Sequence, residues 1–217
     1  MKLSLVAAVV LIVSGVALFF LPEVNQSLFL YLNSLFPNRI FWTVITTLGD
    51  GAFAGCLFYI VFRKRNDLLA KGVIGALVGM ATSHGLKRLF GITRPEYTEG
   101  FKDSFHFLAE SMTVTNYSMP SGHTITAFLL GIFVLFNKKL NQVGKAALLL
   151  LMIAVGLSRI ALGVHWPADV LVGAGLGIAI AIWCNLLRIE ISNKKAIVAV
   201  HLLYLIFVGV LIKTYFL

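Results

Sequence analysis

The chain has 217 residues, of which 59% are hydrophobic and only 12% are charged, and its mean hydropathy is +0.93. A soluble globule of this size would need far more polar surface, so the composition excludes a soluble domain and predicts an integral membrane protein. The formal net charge is +9, but the basic residues are spread between apolar runs, which argues against a nucleic-acid partner.

Seven apolar runs are candidates for membrane-spanning helices. They lie at about 3–21, 41–62, 69–90, 122–137, 144–164, 167–187 and 196–214. The first run is as long as a full span and lacks a small-residue cleavage site, so it is predicted to be a membrane helix and not a signal peptide. The segment 24–40 is amphipathic and broken by Pro37, which indicates an interfacial helix and loop. Residues 1–217 are expected to form one domain.

Lys and Arg residues in short loops predict the orientation, because cytoplasmic loops carry the excess. Eleven of the 18 fall on the side that contains the N-terminus, namely Lys2, Arg63, Lys64, Arg65, Lys71, Lys138, Lys139, Lys145, Arg188, Lys194 and Lys195. We therefore expect a cytoplasmic N-terminus, and an inner-membrane location if the cell is bacterial. The same alternation places three polar motifs together at the outer face and the C-terminus outside.

The first motif pairs Lys87 with Arg94-Pro95. Pro95 disfavours helix at Arg94, so Arg94 is expected to hang over the outer end of the helix that carries Lys87. A lysine point charge and a planar guanidinium together suit a phosphate dianion. The alternative is that both side chains only snorkel to the membrane interface.

The second motif, Pro120-Ser121-Gly122-His123, opens the fourth run. Backbone N–H groups at such a helix start lack intrahelical acceptors and form an anion site. Ser121 would add a hydroxyl donor, Gly122 would let a phosphate approach the backbone, and His123 would protonate a leaving oxygen. An ordinary helix start with a surface histidine is the alternative.

The third motif is Ser158-Arg159 followed by His165 and Asp169, with Pro167 expected to begin the sixth run. An Asp one turn from a His can accept one ring N–H, which leaves the other nitrogen able to attack and stabilises the resulting imidazolium. Alternatively, the pair is a structural hydrogen bond between two helix ends. Charged groups cost roughly 3 kcal/mol each in hydrocarbon, so three such motifs in one apolar chain favour a functional interpretation.

Several polar residues outside the motifs have two interpretations. Asp50 and His84 are either structural hydrogen bonders or partners of the site, His106 is expected at the surface, and His201 is expected to pack between helices. The two cysteines are expected to be small apolar residues without a disulfide or metal partner, namely Cys56 and Cys184.

The long polar connection 93–119 is a candidate lid or substrate-recognition segment. Four of its apolar side chains are expected on the membrane surface, namely Phe101, Phe105, Phe107 and Leu108.

Together the motifs resemble the signature of the type 2 phosphatidic acid phosphatase superfamily. That signature is Lys, six residues, Arg-Pro; then Pro-Ser-Gly-His; then Ser-Arg, five residues, His, three residues, Asp. Every fixed position and spacing is present between residues 87 and 169. The resemblance implies an all-α, polytopic transmembrane bundle with a six-helix phosphatase core, to which the run 196–214 would add a seventh helix.

By this resemblance His165 is the nucleophile that forms a phosphohistidine, Asp169 orients it, and His123 protonates the leaving group. The phosphoryl oxygens are expected to bind to six residues, namely Lys87, Arg94, Ser121, Gly122, Ser158 and Arg159. No cofactor or metal is expected, because three cations can stabilise a dianion and the sequence offers no convincing carboxylate cluster for Mg²⁺.

The implied function is metal-independent hydrolysis of a lipid phosphomonoester or diphosphate at the outer membrane face. Candidate substrates are undecaprenyl diphosphate, phosphatidylglycerol phosphate and phosphatidic acid. A phosphotransferase that passes the phosphoryl group to an acceptor lipid such as lipid A is one alternative. A transporter or binding protein for anionic lipids is another, and it would not need the pair formed by His165 and Asp169.

Overall fold

The computed structural model describes residues 1–109 and 115–215. Nine α-helices run through these residues: α1 (Lys2–Phe19), α2 (Pro22–Ser34), α3 (Arg39–Thr47), α4 (Gly51–Phe62), α5 (Asn66–Phe90), α6 (Gly122–Asn137), α7 (Gln142–Ala161), α8 (Pro167–Leu186) and α9 (Lys194–Tyr215). Two single-turn 3₁₀ helices follow α5, at Pro95–Tyr97 and Lys102–Ser104. An isolated bridge joins Thr93 to Tyr117. The predicted all-α class is confirmed.

Within the described ranges 1–109 and 115–215, four helices are long and apolar enough to cross a membrane: α1, α7, α8 and α9. The bent pair α3 and α4 would add a fifth span if it counts as one. α6 is apolar but has only 16 residues, and α5 has 25 residues with charged side chains in its first and last turns. Exposed apolar side chains cover α1 and α9. The chain is therefore an integral membrane protein.

The run 41–62 forms two helices and not one, which corrects the sequence prediction. α3 and α4 meet at a bend of 55°. Asp50 caps α4, because its carboxylate accepts hydrogen bonds from the backbone N–H groups of Ala52 (2.9 Å) and Phe53 (3.0 Å). At the bend, a Cβ on Gly49 would lie 2.9 Å from the carbonyl oxygen of His123. The break therefore lets the chain pass close to the start of α6.

α1 lies along α8 at close range. A Cβ on Gly175 would lie 2.7 Å from the carbonyl oxygen of Ala8, and one on Gly15 would lie 2.9 Å from the backbone nitrogen of Val172. Glycine at both positions lets the two backbones approach, as is common where membrane helices pack. α1 thus braces the helix whose first turn carries Asp169.

α2 is the predicted amphipathic helix, and its buried face packs against the rest of the bundle. That face consists of Asn25, Phe29 and Asn33. The Asn33 side chain donates to the carbonyl oxygens of His106 (3.0 Å), Ile160 (3.1 Å) and Ala161 (3.1 Å). It also accepts the backbone N–H of His106 at 2.9 Å. One buried amide therefore ties the connection after α5 to the end of α7.

The aromatic side chains of the connection pack against neighbouring helices and are only partly buried, so their position on the membrane surface stays a prediction. The rings of Phe101 and Phe105 have centroids 5.9 and 4.9 Å from that of Phe29, and Phe101 lies 5.3 Å from the ring of Trp166. Two further side chains pack against a second apolar cluster, namely Phe107 and Leu108. The connection folds back over α2 because this contact buries apolar rings that membrane-surface exposure would leave partly in water.

α9 is fixed to α4 and α5 by polar contacts that are partly or fully buried. The ring of His201 has its Nδ1 atom 3.0 Å from the Tyr59 hydroxyl and its Nε2 atom 3.1 Å from the Asn66 side-chain oxygen. The Tyr204 hydroxyl donates to the carbonyl oxygen of Leu69 at 3.0 Å. The predicted helix-packing role of His201 is confirmed.

Candidate active site

His165 lies in the short turn between α7 and α8 and is 2% exposed. Its Nδ1 atom is 3.1 Å from the Oδ2 atom of Asp169, in the first turn of α8. A carboxylate can only accept, so the neutral ring carries its proton on Nδ1 and keeps a lone pair on Nε2. The same Oδ2 atom accepts the backbone N–H of Trp166 at 2.9 Å, which holds the carboxylate in position.

Arg94 faces the other nitrogen of the His165 ring. It lies in the extended segment after α5, as predicted, and its Nη1 atom is 3.1 Å from Nε2. The same Nη1 atom donates to the Val164 carbonyl oxygen at 2.9 Å. The Nε atom donates to the carbonyl oxygens of Thr115 (2.8 Å) and Tyr117 (3.1 Å). Backbone acceptors on two segments therefore hold the guanidinium against the ring.

The segment 120–123 begins α6, as the sequence indicates. Ser121 is the N-cap, and its Oγ atom accepts from the Thr124 hydroxyl at 2.9 Å and from the Thr124 N–H at 3.5 Å. The Ser121 N–H donates to the Asp169 carbonyl oxygen at 3.1 Å, which fastens this helix start to α8. The N–H groups of Gly122 and His123 are at the first turn, where no intrahelical acceptor exists.

Lys87 and Arg159 come from the last turns of α5 and α7. They are 9% and 8% exposed, so both cations are buried. The Nη1 atom of Arg159 donates to the Thr46 hydroxyl at 2.6 Å. Ser158 is also buried, but its hydroxyl donates to the Val155 carbonyl oxygen at 2.6 Å. The structure thus places Ser158 beside the site while its hydroxyl is engaged within α7.

These groups make the site strongly electropositive. Burial, and next the charges of Arg94, Lys87 and Arg159, hold the pKa of His165 well below its ordinary value. The imidazole is therefore neutral at physiological pH, as a nucleophile must be. A phosphate dianion would be attracted by the same three cations. The three motifs, far apart in sequence, meet around one ring.

Three residues at the site were not predicted from the sequence. The Thr46 hydroxyl accepts a hydrogen bond from Arg159, which lies 113 residues later in the sequence. Ser83 is buried one turn before Lys87, and a Cβ on Gly122 would lie 3.5 Å from its hydroxyl. Asn33 supports the end of α7. Only Ser83 had a usable signal, because four residues on a helix place it on the same face as Lys87.

Two other histidines had open interpretations. His84 is exposed and lines an apolar cavity that also has His123 in its wall. His106 is exposed, as expected, although its backbone binds Asn33.

Across residues 1–109 and 115–215, no group of three or more histidine, cysteine or carboxylate side chains is placed to hold a metal ion. Independence from metal stays a prediction.

Comparison with known proteins places the chain in a family. The sequence model of the PAP2 superfamily matches residues 68–192. The chain is 31% identical over 140 residues to the decaprenylphosphoryl-5-phosphoribose phosphatase of Mycobacterium tuberculosis, a match that covers 63% of this chain and 65% of that protein. The chain thus spans slightly less than two thirds of this relative.

Two solved structures share the fold. The crystal structure of Aquifex aeolicus LpxE has a TM-score of 0.59 and 29% identity, over 73% of this chain and 93% of that chain. The first transmembrane PAP2 type phosphatidylglycerolphosphate phosphatase from Bacillus subtilis has a TM-score of 0.63 and 20% identity, over 88% of this chain and all of that chain. The family match covers more than half of the chain and contains all three motifs. The chain therefore belongs to the PAP2 superfamily and is a membrane phosphatase.

Proposed function

We propose that this protein removes phosphate from a lipid phosphomonoester or diphosphate through a phosphohistidine on His165. The observation that supports the proposal is the protonation state and orientation of the His165 imidazole. Asp169 holds the proton of Nδ1, while Nε2 faces Arg94 among three buried cations. A neutral nitrogen directed into an anion site is what phosphoryl transfer to histidine requires.

In the first step the Nε2 lone pair attacks phosphorus, and the bond from phosphorus to the lipid oxygen breaks. His123 enters this step as the imidazolium, a form that the bound phosphate dianion favours, and gives that oxygen its proton, so the lipid leaves as an alcohol or, from a diphosphate, as a monophosphate. The phosphorylated ring is positively charged, and Asp169 stabilises it through Nδ1–H. In the second step His123 takes a proton from water, the resulting hydroxide attacks phosphorus, and the electron pair of the P–N bond returns to Nε2 as phosphate leaves.

Arg94 has to change partner during this cycle. In the structure its Nη1 group points at the Nε2 lone pair from 3.1 Å, which is where phosphorus must arrive. The Nε atom stays anchored on two carbonyl oxygens, so a small rotation can turn the other N–H groups onto a phosphoryl oxygen. Phosphate binding would then expose the nucleophile.

We also propose that the site faces the outside of the cell. The ends of α5 and α7 and the starts of α6 and α8 carry the site, so these four helix termini meet at one end of the bundle. The basic turns lie together at the other end, where Lys138 donates to the Val61 carbonyl oxygen at 2.8 Å and Asn137 donates to Asn185 at 3.2 Å. The excess of positive charge supports a cytoplasmic position for that end.

The three candidate substrates share a terminal phosphate on a membrane lipid. They are undecaprenyl diphosphate, phosphatidylglycerol phosphate and phosphatidic acid. The M. tuberculosis relative is named for decaprenylphosphoryl-5-phosphoribose, a polyprenyl lipid, which supports the polyprenyl candidate.

Phosphate release by the purified protein in detergent, with EDTA present, tests the proposal on these three lipids. Release should persist in EDTA and be absent from His165→Ala, whereas His106→Ala, an exposed histidine outside the site, should keep the wild-type rate. Quenching with labelled substrate should trap acid-labile, base-stable phosphate on the wild-type protein only. Turnover by His165→Ala would contradict the mechanism. Substoichiometric release without an acceptor lipid would identify a phosphotransferase.

A further inference from the structure

An apolar cavity of about 500 Å³ begins at the active site and extends between α4, α5, α6 and α9. Its wall near the site includes Gly122 and His123, and its far wall includes three side chains of α9, namely Leu203, Ile206 and Phe207. The phosphate site and the cavity therefore share residues. The mechanism above uses His123 but leaves the rest of this space unassigned.

α9 is built into the bundle at two glycines. A Cβ on Gly55 of α4 would lie 2.6 Å from the ring of Phe207, and one on Gly72 of α5 would lie 2.7 Å from the Tyr204 hydroxyl. Both positions admit an aromatic side chain of α9 only because they lack a side chain of their own. α9 lies beyond the segment 68–192 that matches the family, so this wall of the cavity is an addition to the matched region.

We infer that this cavity receives the part of the substrate's hydrocarbon tail nearest the phosphate, and that α9 selects the tail. The inference rests on the proposed phosphatase function. The occupant follows from continuity, because the leaving oxygen must lie within hydrogen-bonding reach of His123, and His123 is in the cavity wall. The carbon atoms attached to that oxygen then begin where the cavity begins.

The cavity holds only the first part of a tail. A methylene group fills about as much space as a water molecule, ~30 Å³, so a volume of about 500 Å³ holds roughly 15 carbon atoms, or about three isoprene units. A single chain can follow the cavity from His123 to α9, whereas two acyl chains that branch beside the phosphate would divide the same space between them. The assigned substrate class is therefore a polyprenyl phosphate or diphosphate.

The cavity also has an opening toward the bilayer. Leu77 and Met80 of α5 are in its wall, yet each is 55% exposed. A tail could enter sideways between α5 and α9 without leaving the membrane, and the remainder of a long polyprenyl chain would stay in lipid. Exposed apolar side chains at this point cost nothing in hydrocarbon, whereas they would be costly in water.

Two neighbouring leucines on α9 provide a matched test. Both side chains are exposed, Leu203 by 42% and Leu202 by 55%, but only Leu203 lines the cavity. The measured quantity is the ratio of kcat/KM for farnesyl diphosphate to that for a short, nearly tail-free ester, butyl phosphate. Leu203→Ala should lower this ratio at least about threefold, because it removes contacts to the hydrocarbon tail and none to the phosphate. Leu202→Ala should leave the ratio within the error of the assay.

A filling variant gives the opposite test of the same space. Ala76→Phe on α5 puts a ring into the cavity wall, displaces several methylene groups of the tail and should lower the same ratio at least about tenfold. If that variant fails to fold, as judged by size exclusion in detergent, Leu203→Trp fills the cavity from α9 instead. The wild-type protein should also prefer farnesyl phosphate to dioctanoyl phosphatidic acid, a monoester with about as many chain carbon atoms divided between two chains.

The outcomes distinguish a failure of the phosphatase function from a failure of the tail assignment. Absence of phosphate release from every substrate would contradict the phosphatase function itself. If phosphate is released but the cavity variants shift the ratio no more than Leu202→Ala does, or if the two-chain lipid is preferred, the tail assignment is overturned while the phosphatase function stands.

Discussion

At the scale of single residues, both nitrogens of His165 are committed to partners. Asp169 accepts from Nδ1 and, in the proposed mechanism, also stabilises the positive charge of the phosphorylated ring. Asp169→Asn can keep an oxygen in the position that accepts from Trp166 and His165 but removes the negative charge. We expect kcat to fall by about 10³- to 10⁴-fold with little change in melting temperature. A loss of less than tenfold would show that the carboxylate charge is not needed.

The protonation of His165 provides a second test. Its pKa is held well below the ordinary value by burial and by the cations of Arg94, Lys87 and Arg159. The folded ring thus stays neutral below about pH 6.5, where an unfolded histidine takes up a proton. The unfolded state then binds more protons, so this group lowers the stability of the fold as pH falls through that window.

We expect the ring nitrogens of His165 to show no titration by NMR between about pH 6 and 8, a range in which ordinary histidines change charge. Assignment would use ¹⁵N-histidine labelling and comparison with His165→Ala, and free histidine in the same buffer would serve as the reference. A midpoint at or above the reference value would show that the cations do not act on this ring as the geometry indicates.

Arg94 differs from a lysine at the same place in a way that kinetics can detect. Its guanidinium contacts backbone carbonyls through Nε and His165 through Nη1 at once, and an ammonium group cannot reproduce that planar arrangement. Arg94→Lys should lower kcat/KM by about 10²- to 10³-fold. Arg88→Lys is the matched control, since Arg88 is exposed on α5, and it should retain activity. Near-normal turnover by Arg94→Lys would exclude the partner switch.

The meeting of the three motifs could be predicted from the sequence, because phosphate chemistry restricts both residue type and spacing. His165 and Asp169 are one helical turn apart, so their contact follows from local geometry. Thr46 and Asn33 could not be found in this way, because each meets its partner only after distant helices have packed. The contact of the Ser158 hydroxyl with Val155 depends on a rotamer that sequence does not specify.

At the scale of elements, the sequence predicted a helix correctly where the run was simply apolar. The prediction failed where an apolar run also contained residues that end one helix and begin another. The run 41–62 is apolar throughout, which predicts one helix, yet Gly49 and Asp50 in its middle favour a break and a cap. A prediction based on apolar residues alone does not detect a helix cap that lies inside an apolar run. The break places Gly49 against His123, so the irregular element serves the site.

α2 shows how an element outside the motifs supports the site. Asn33 makes four hydrogen bonds and is 1% exposed. Asn33→Ala would remove the side-chain partner of the Ala161 carbonyl oxygen and of the His106 backbone, at about 1–3 kcal/mol for each group left unsatisfied, while the Ile160 carbonyl oxygen would still accept from the Gly163 N–H. We expect a clearly lower melting temperature in detergent, whereas Ser34→Ala, next in sequence and bonded only locally to Tyr31, should have little effect. Equal melting temperatures for the two variants would exclude this role for α2.

At the scale of the whole molecule, the bundle has two chemically different ends. One end gathers Lys87, Arg94 and Arg159 inward around the buried His165. The other carries its basic residues outward in turns, for example Lys64, Lys139 and Arg188. Cations at both ends have the same sign, but in the proposed function the first set binds an anionic substrate and the second sets the orientation.

This asymmetry leads to a topology that labelling can check. In a variant without Cys56 and Cys184, cysteine introduced for the exposed Glu99, beside the site, should react with a membrane-impermeant maleimide on intact cells. Cysteine at Lys139 should react only after permeabilisation, because it lies at the basic end. Cysteine at the exposed Lys213 should behave like that at Glu99 if α9 crosses the membrane, as its 21-residue apolar segment permits. The reverse pattern at Glu99 and Lys139 would place the phosphate site in the cytoplasm, and labelling of position 213 only after permeabilisation would mean that α9 does not span.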